Sequence, residues 1–440
     1  MRWKVGHSPR SRTLTTKAQA ESFLSELRQA ARDGQAFDTE TGLPAAMMAH
    51  RQARSWLAFC MAYIDMKWPS AAPKTRDSLT DALAAIVPAV VGEELPDWLD
   101  VAELRGALRH YALAPPSRAL ERPPEVAVAL RWLEKNSLPV SEVGKPSVAR
   151  SILDAITLRQ DGQLAAATVI ARKRSVFANV LRYAVELEEL AADPLTRLSW
   201  KPPKVSETVD RRVVVNPRQA RELLTAVTYV GSRGHGHGQR SRGQRLMAVY
   251  ACMYFAALRP AEAIALRQRN CHHPESDWGS LTLEKSRPEV NRRRTDTASA
   301  HEERGLKHRP AQESRRVPIP PELVQILRAY IANFGVAPDG RIFSSERGHV
   351  IASTAISDVW AAARILALTP EQVASPLAGR PYGLCHAAVS LWLNAGVPAP
   401  EVAERAGHSV EVLLRVYAKC PDDGQDRVNT RIEAALQLGR

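Results

Sequence analysis

The chain has 440 residues, enough for two or three domains with cores of their own. With 45% hydrophobic and 24% charged residues it has the composition of a soluble globular protein, and it lacks both an apolar run of membrane-spanning length and a signal-peptide pattern. The formal charge of +13 points to a polyanionic partner, with nucleic acid first among them.

Residues 2–5 and 12–14 alternate like two short strands, with Gly6 and Pro9 in the turn between them. A helix is expected over 17–32, where Ala20, Phe23, Leu24 and Leu27 recur at helical spacing. From 45 to 194 the sequence reads helical throughout. Trp56, Phe59, Cys60 and Tyr63 form one apolar stripe; Leu79, Leu83, Ile86 and Val87 form another; Val126, Leu130 and Leu133 form a third. The run 168–190 turns Val169, Val176, Val180, Leu181 and Ala184 inward and Arg172, Lys173, Arg174 and Arg182 outward. Such a basic face suits either plain solvation or contact with phosphates. A linker over 196–216 contains Pro202-Pro203 and a candidate strand at 212–215. Asn216 then caps a helix that has Pro217 at its first position.

Residues 231–243 are rich in Gly, Arg and His and read as a loop, in which His235 and His237 lack further metal ligands. An apolar helix covers 246–256. Arg259 precedes Pro260, which opens a helix over 260–266, and Glu262 can reach back to orient the arginine. Strands at 280–284 and 316–319 flank a long polar stretch carrying Arg292-Arg293-Arg294, read as a solvated insert. Helices follow at 320–334 and 355–366, the second with Val359, Ala362, Ala363 and Leu366 on its inner face. Gly407 ends one helix and Ser409 caps the next, on which Val410, Leu413, Leu414 and Tyr417 fall at i, i+3, i+4 and i+7. Taken alone, Arg259 is a surface arginine with a capping glutamate, and Tyr417 is the last core residue of an apolar stripe. The five cysteines form no CxxC pair, so a reducing cytoplasm is the expected compartment. Cys271-His272-His273 has no second ligand pair at a suitable spacing, so neither a metal nor a cofactor is expected.

Three separated pieces change the reading of Arg259 and Tyr417: Ala256-Ala257-Leu258-Arg259-Pro260-Ala261-Glu262, Tyr382-Gly383-Leu384-Cys385-His386, and Gly407-His408-Ser409 followed by Tyr417. In this order and spacing they resemble the catalytic domain of the tyrosine recombinase, or phage integrase, family. That family carries an arginine in the first piece, His-x-x-Arg in the second, Gly-His in the third and a nucleophilic tyrosine soon after. His408 and Tyr417 are nine apart and Cys385 and His408 twenty-three apart, the family's usual intervals. Cys385 therefore stands at the second catalytic arginine, and Tyr382 at the histidine that opens that piece.

The resemblance implies a mostly α fold with a small α/β component. It divides the chain into an arm-type DNA-binding module over 1–44, with two strands visible where the family has three, and a helical core-binding domain over 45–195. The linker at 196–216, a mixed α+β catalytic domain over 217–425 and a tail over 426–440 follow. It implies site-specific strand exchange by a mobile-element integrase. Tyr417 is then the nucleophile, Arg259 a phosphate clamp, Lys307 the general acid with Lys285 as its rival, and His408 a phosphate ligand or proton-transfer aid. The implied partners are double-stranded DNA at attachment sites, a homo-tetramer on that DNA and an accessory DNA-bending or excision protein. A type IB topoisomerase-like relaxer shares the tyrosine chemistry, but the arm-like module and the wording around Arg259 and His408 disfavour it.

A tyrosine oxygen stores the phosphoester bond as a covalent intermediate that a DNA hydroxyl later reverses, so neither metal nor external energy is needed. The extra charge on the pentacoordinate phosphate calls for fixed guanidinium forks. Cys385 cannot supply one, and losing one such donor costs about 10²–10³ in rate, or roughly 3–4 kcal/mol. Arg380, five residues upstream beyond a proline, is displaced from the required geometry. Cys385 and His386 are adjacent on a helix and point about 100° apart, so they form no thiol dyad. The expectation is an impaired recombinase, with a DNA-binding remnant that cannot cut as the alternative.

Overall fold

Trp3 anchors the first element. In this computed structural model, which describes residues 1–440 except 7, 14–16, 45–46, 48–52, 160, 206–207, 232–241, 308, 311, 418–428, 431–432, 434–435 and 437–440, strand β1 (Arg2–Val5) pairs antiparallel with β2 (Ser8–Ser11). The second strand lies at 8–11 instead of 12–14, because Gly6 at φ +59° turns the chain at once and Val5 meets Ser8 directly. Pro9 stands within that strand, which a two-stranded ribbon tolerates because both strands are edges. The Trp3 ring meets Phe23 of α1 (Lys17–Arg32) edge-on at 5.4 Å, and its Nε1 donates to the Gly42 carbonyl at 2.8 Å. Phe23, Leu27 and Leu43 complete this small cluster.

The rest of the first unit, which spans Met1–Val205, is helical. Its helices are α2 (Trp56–Lys67), α3 (Pro73–Ile86), α4 (Val101–Ala107), α5 (Pro124–Asn136), α6 (Val140–Val143), α7 (Pro146–Thr157) and α8 (Ala167–Glu186). The stripe Trp56, Phe59, Cys60 and Tyr63 is buried, as is Leu79, Leu83, Ile86 and Val87. Phe177 of α8 meets Trp56 edge-on at 6.3 Å. Burial of each such large side chain stabilises the unit by about 1.5–3 kcal/mol. One residue of the basic face departs from expectation: Lys173 is buried, because α8 packs against α3 on that side. Arg172 stays outside and pairs with Asp81 at 2.7 Å.

The second unit spans Ser206–Arg440. Arg211–Val213 forms a single 3-10 turn and not a strand. Asn216 caps α9 (Pro217–Tyr229) through a reciprocal box: its side chain accepts from the Gln219 N–H at 2.9 Å, and the Gln219 side chain accepts from the Asn216 N–H at 3.0 Å. Helix α10 (Arg242–Phe255) follows; His235 and His237 lie outside the described residues. Helix α11 is one turn only, Pro260–Ala263, shorter than the expected 260–266.

Strands β3 (Cys271–His272), β4 (Gly279–Leu283) and β5 (Arg315–Ile319) form an antiparallel sheet in the order β3-β4-β5, with Leu281 opposite Val317. The stretch between β4 and β5 is not simply solvated. Backbone bridges join Ser286 to Arg304 and Glu289 to His301, and Arg294 of the arginine triplet is fully buried. The chain continues through α12 (Pro321–Phe334), α13 (Ser353–Ala367), α14 (Pro370–Ala374), α15 (Gly383–Asn394), α16 (Ala399–Ala406) and α17 (Val410–Tyr417). On α13, Val359 and Ala363 are buried but Leu366 is 60% exposed. The main core gathers α9, α10 and α13 around Tyr250, whose hydroxyl donates to the Ile356 carbonyl at 2.6 Å, and Trp360. A second cluster, of Ala388, Val389, Val402, Ala403, Leu413 and Tyr417, joins α15, α16 and α17. The architecture is mostly α with small antiparallel sheets. Among the described residues no helix is long and apolar enough to cross a membrane.

Candidate active site

Arg259 leaves the core through a left-handed turn. Helix α10 stops where the Leu258 N–H reaches back to the Cys252 carbonyl at 3.3 Å, and Ala257 takes φ +50° to permit it. Arg259 then sits at the N-cap of α11, and Glu262 folds back on it. Glu262 Oε2 accepts from the Arg259 backbone N–H at 3.0 Å, and Oε1 accepts from Arg259 Nη1 at 2.8 Å. Arg259 Nη2 donates to the Gly407 carbonyl at 2.9 Å. That last bond ties the first sequence piece to the third. Burial works against the Arg259 charge, but the Glu262 carboxylate beside it holds the guanidinium above its ordinary value. A one-turn helix adds little dipole, so an anion here depends on side-chain charge.

Gly407 ends α16 with φ +67°, turning the chain so that His408 faces inward. Ser409 Oγ accepts from the Val412 N–H at 3.2 Å and starts α17. Of the expected stripe on α17, Leu413 and Tyr417 are buried, whereas Val410 and Leu414 are exposed at 39% and 54%. The helix therefore buries a narrower edge than i, i+3, i+4, i+7 implies, and Tyr417 lies on that edge. The His408 ring stacks on Tyr417 at 6.1 Å and 28°. Its Nδ1 is buried with no hydrogen-bond partner among the described residues. Burial, with Arg259 and Arg315 adding to it, lowers the His408 pKa to about 4, so the ring is neutral at pH 7.

The second piece lies at the start of α15. Cys385 is buried, and its Sγ donates to the Leu258 carbonyl at 3.0 Å. Burial pushes this thiol well above its ordinary value, so it stays protonated and inert. His386 turns elsewhere: its Nδ1 lies 2.8 Å from the Tyr417 hydroxyl. Desolvation lowers the His386 pKa to about 4. Tyr382 caps α15, packs its ring edge-on against His386 at 4.9 Å, and faces Arg259. Burial raises the Tyr382 phenol despite the neighbouring guanidinium.

Two residues that the motif reading missed belong to this cluster. His386 is one, and its spacing gives no clue to its pairing with Tyr417. Arg315 of β5 is the other, and its Nη2 donates to Glu262 Oε2 at 2.7 Å. It shares the inward face of β5 with Val317 and Ile319, so strand alternation could have found it. Of the two candidate lysines, Lys285 lines a small cavity of about 40 Å³ together with Glu262. Lys307 is exposed, near the end of the stretch between β4 and β5, and does not line that cavity. Among the described residues no group of three or more His, Cys, Asp or Glu side chains could hold a metal.

Arg259, Tyr382, His408 and Tyr417 thus converge from three stretches far apart in the chain, with Glu262 paired to Arg259 and Tyr417 set against His408 and His386. Three solved structures are similar to this chain in fold. The integrase of transposon Tn1549, in complex with a circular intermediate DNA, is 14% identical with a TM-score of 0.50, over 74% of this chain and 99% of that one. The XerH site-specific recombinase bound to its palindromic difH substrate is 11% identical with a TM-score of 0.51, over 87% and 95% of the two chains. A lambda integrase dimer bound to a COC′ core site is 11% identical with a TM-score of 0.50, over 93% and 88%. The fold is that of the tyrosine recombinases. No protein-family model matches the chain, and no curated protein sequence is similar to it. At such identities the likeness carries the recombinase fold and not the chemistry.

Proposed function

We propose that the chain is a site-specific DNA recombinase, the integrase of a mobile element, that cuts and rejoins DNA through a 3′-phosphotyrosyl intermediate. The observation that carries this reading is the Tyr417 hydroxyl at 2.8 Å from a histidine nitrogen that is neutral at pH 7, beside a buried arginine–glutamate pair. In the proposed step, Tyr417 Oη forms a bond to the scissile phosphorus and gives its proton to His386 Nδ1. The bond from phosphorus to the 5′ oxygen breaks, and that oxygen takes a proton from a lysine. Arg259 binds a non-bridging phosphate oxygen, and His408 donates to or orients the same phosphate. Rejoining is the reverse, with a 5′-hydroxyl of the partner strand attacking the phosphotyrosine.

Lys307 and Lys285 are both proposed for the proton donor, and the cavity that Lys285 shares with Glu262 favours Lys285. Tyr382 steers Arg259 from the position where a histidine is usual. Tyr417 is 2% exposed, so attack requires it to leave its pocket when DNA binds. The proposed partners are double-stranded attachment-site DNA, three further copies of the chain and an accessory DNA-bending or excision protein, acting in the cytoplasm.

One observation favours a second reading, a DNA-binding remnant that cannot cut: the Cys385 thiol bonds to Leu258 and presents no charge to a phosphate. Covalent trapping separates the two. Incubated with duplexes bearing a randomised core and a nick that blocks rejoining, the recombinase forms SDS-resistant adducts that Tyr417→Phe abolishes. Adducts that survive Tyr417→Phe would sink the assignment of the nucleophile, and binding without adducts would favour the remnant. Lys285→Ala and Lys307→Ala, each with a thiol leaving group that needs no proton, then identify the acid by which loss is rescued.

A further inference from the structure

The site lacks an arginine on α15, yet it does not lack a second guanidinium. Arg315 reaches it from β5 with its side chain 1% exposed, paired to Glu262 Oε2 at 2.7 Å. Glu262 is the carboxylate that also holds Arg259, so one side chain grips both arginines. Gly407 shows how closely they converge. A methyl group on its Cα would overlap Arg315 Nη1 and would meet Arg259 Nη1 at 3.3 Å. Both guanidiniums therefore press on the residue before His408. Arg315 Nε, moreover, is buried without a hydrogen-bond partner among the described residues.

Charge counting gives this arrangement a purpose. Arg259 and Glu262 alone cancel, Cys385 is a neutral thiol, and both histidines are neutral at pH 7. Apart from the lysine proposed as the acid, such a site offers no net charge to a phosphate that gains negative charge as Tyr417 attacks. Arg315 restores one positive charge in a buried setting, where it is weakly screened. Cys385 feels the field of both Arg259 and Arg315.

We infer that Arg315 replaces the arginine missing at Cys385: it is the positioning residue that fixes Glu262, and through it Arg259, and that keeps the phosphate site positive. The inference rests on the recombinase reading. It makes the cysteine a relocation of charge between two elements and not a lesion.

The test is covalent trapping on the nicked random-core duplexes with five proteins: the unchanged chain, Arg315→Ala, Arg315→Lys, Arg315→Ala with Cys385→Arg, and Tyr417→Phe. The unchanged chain is expected to form adducts that Tyr417→Phe abolishes. Arg315→Ala should lower the rate by about 10²–10³-fold, the scale for one preorganised donor. Lysine at 315 should recover part of that loss, and arginine at 385 should recover it in the double variant, because charge and not strand packing is what was removed. Unimpaired trapping by Arg315→Ala would overturn the inference. So would a loss that neither lysine at 315 nor arginine at 385 relieves, which is what a purely structural role gives. Adducts from the double variant alone would leave the recombinase reading standing and remove Arg315 from it. Adducts from none of the five would sink the recombinase reading itself.

Discussion

At the residue scale, the site is a set of ionisable groups whose burial sets their charge. His386 and His408 have pKa values lowered from 6.5 to about 4, chiefly by desolvation. The unfolded chain therefore binds more protons than the folded one between those values. Their contribution to stability is complete above about 6.5 and is lost as pH falls toward about 4. The melting temperature should fall as pH drops from 7 to 4.5, and replacing both histidines by asparagine should flatten that slope. An unchanged slope would mean the rings are not buried as neutral groups. Gly407 makes a second prediction. Alanine there must hold φ +67°, at a cost of about 1–2 kcal/mol, and must also displace Arg315. In urea denaturation, Gly407→Ala should cost clearly less in an Arg315→Ala background than in the unchanged chain. Equal costs in both backgrounds would mean that Arg315 is not packed against Gly407.

At the element scale, the ends of helices and strands place the functional groups. Asn216 starts the helix that leads into the main core, and its reciprocal box with Gln219 satisfies two N–H groups that the helix leaves open. Asn216→Ala should destabilise the second unit by about 1 kcal/mol, read as a shift in denaturation midpoint with an unchanged slope. A shift near zero would show that the cap is redundant with Pro217. These ends were largely legible. Asn-Pro marks the start of α9, Gly407 the end of α16, and the apolar stripe at 56–63 the core of the first unit. What was not legible has local causes. β2 moved to 8–11 because a glycine turn can pair strands at once, whatever the alternation further on. Lys173 and Leu366 took the wrong sides because which flank of a helix is covered depends on its neighbours, not on its own periodicity.

At the scale of the whole molecule, the charge of +13 favours a polyanionic partner, which the proposed function takes to be DNA. Binding to duplex DNA should be strongly salt-dependent: neutralising six to ten phosphates lowers affinity by about 10³–10⁵ between 50 and 200 mM salt. Fluorescence anisotropy with a labelled duplex of arbitrary sequence measures this directly. Affinity that hardly changes over that range would argue against a phosphate-tracking surface and against the DNA-directed reading as a whole.

The sequence by itself determined the mostly helical class and most element positions in the second unit, and it marked out the three stretches that carry Arg259, Tyr382, His408 and Tyr417. It could do so because helical periodicity, caps and motif intervals are local or fixed in number. Only the tertiary structure decided what those residues touch. His386 meets Tyr417 across 31 residues, and Arg315 meets Glu262 across 53. No periodicity encodes such a contact, because it depends on where separate helices and strands come to rest. Cys385 shows the consequence. In the sequence it is a missing charge; in the fold, a buried thiol bonded to Leu258, with an arginine from β5 in the same site.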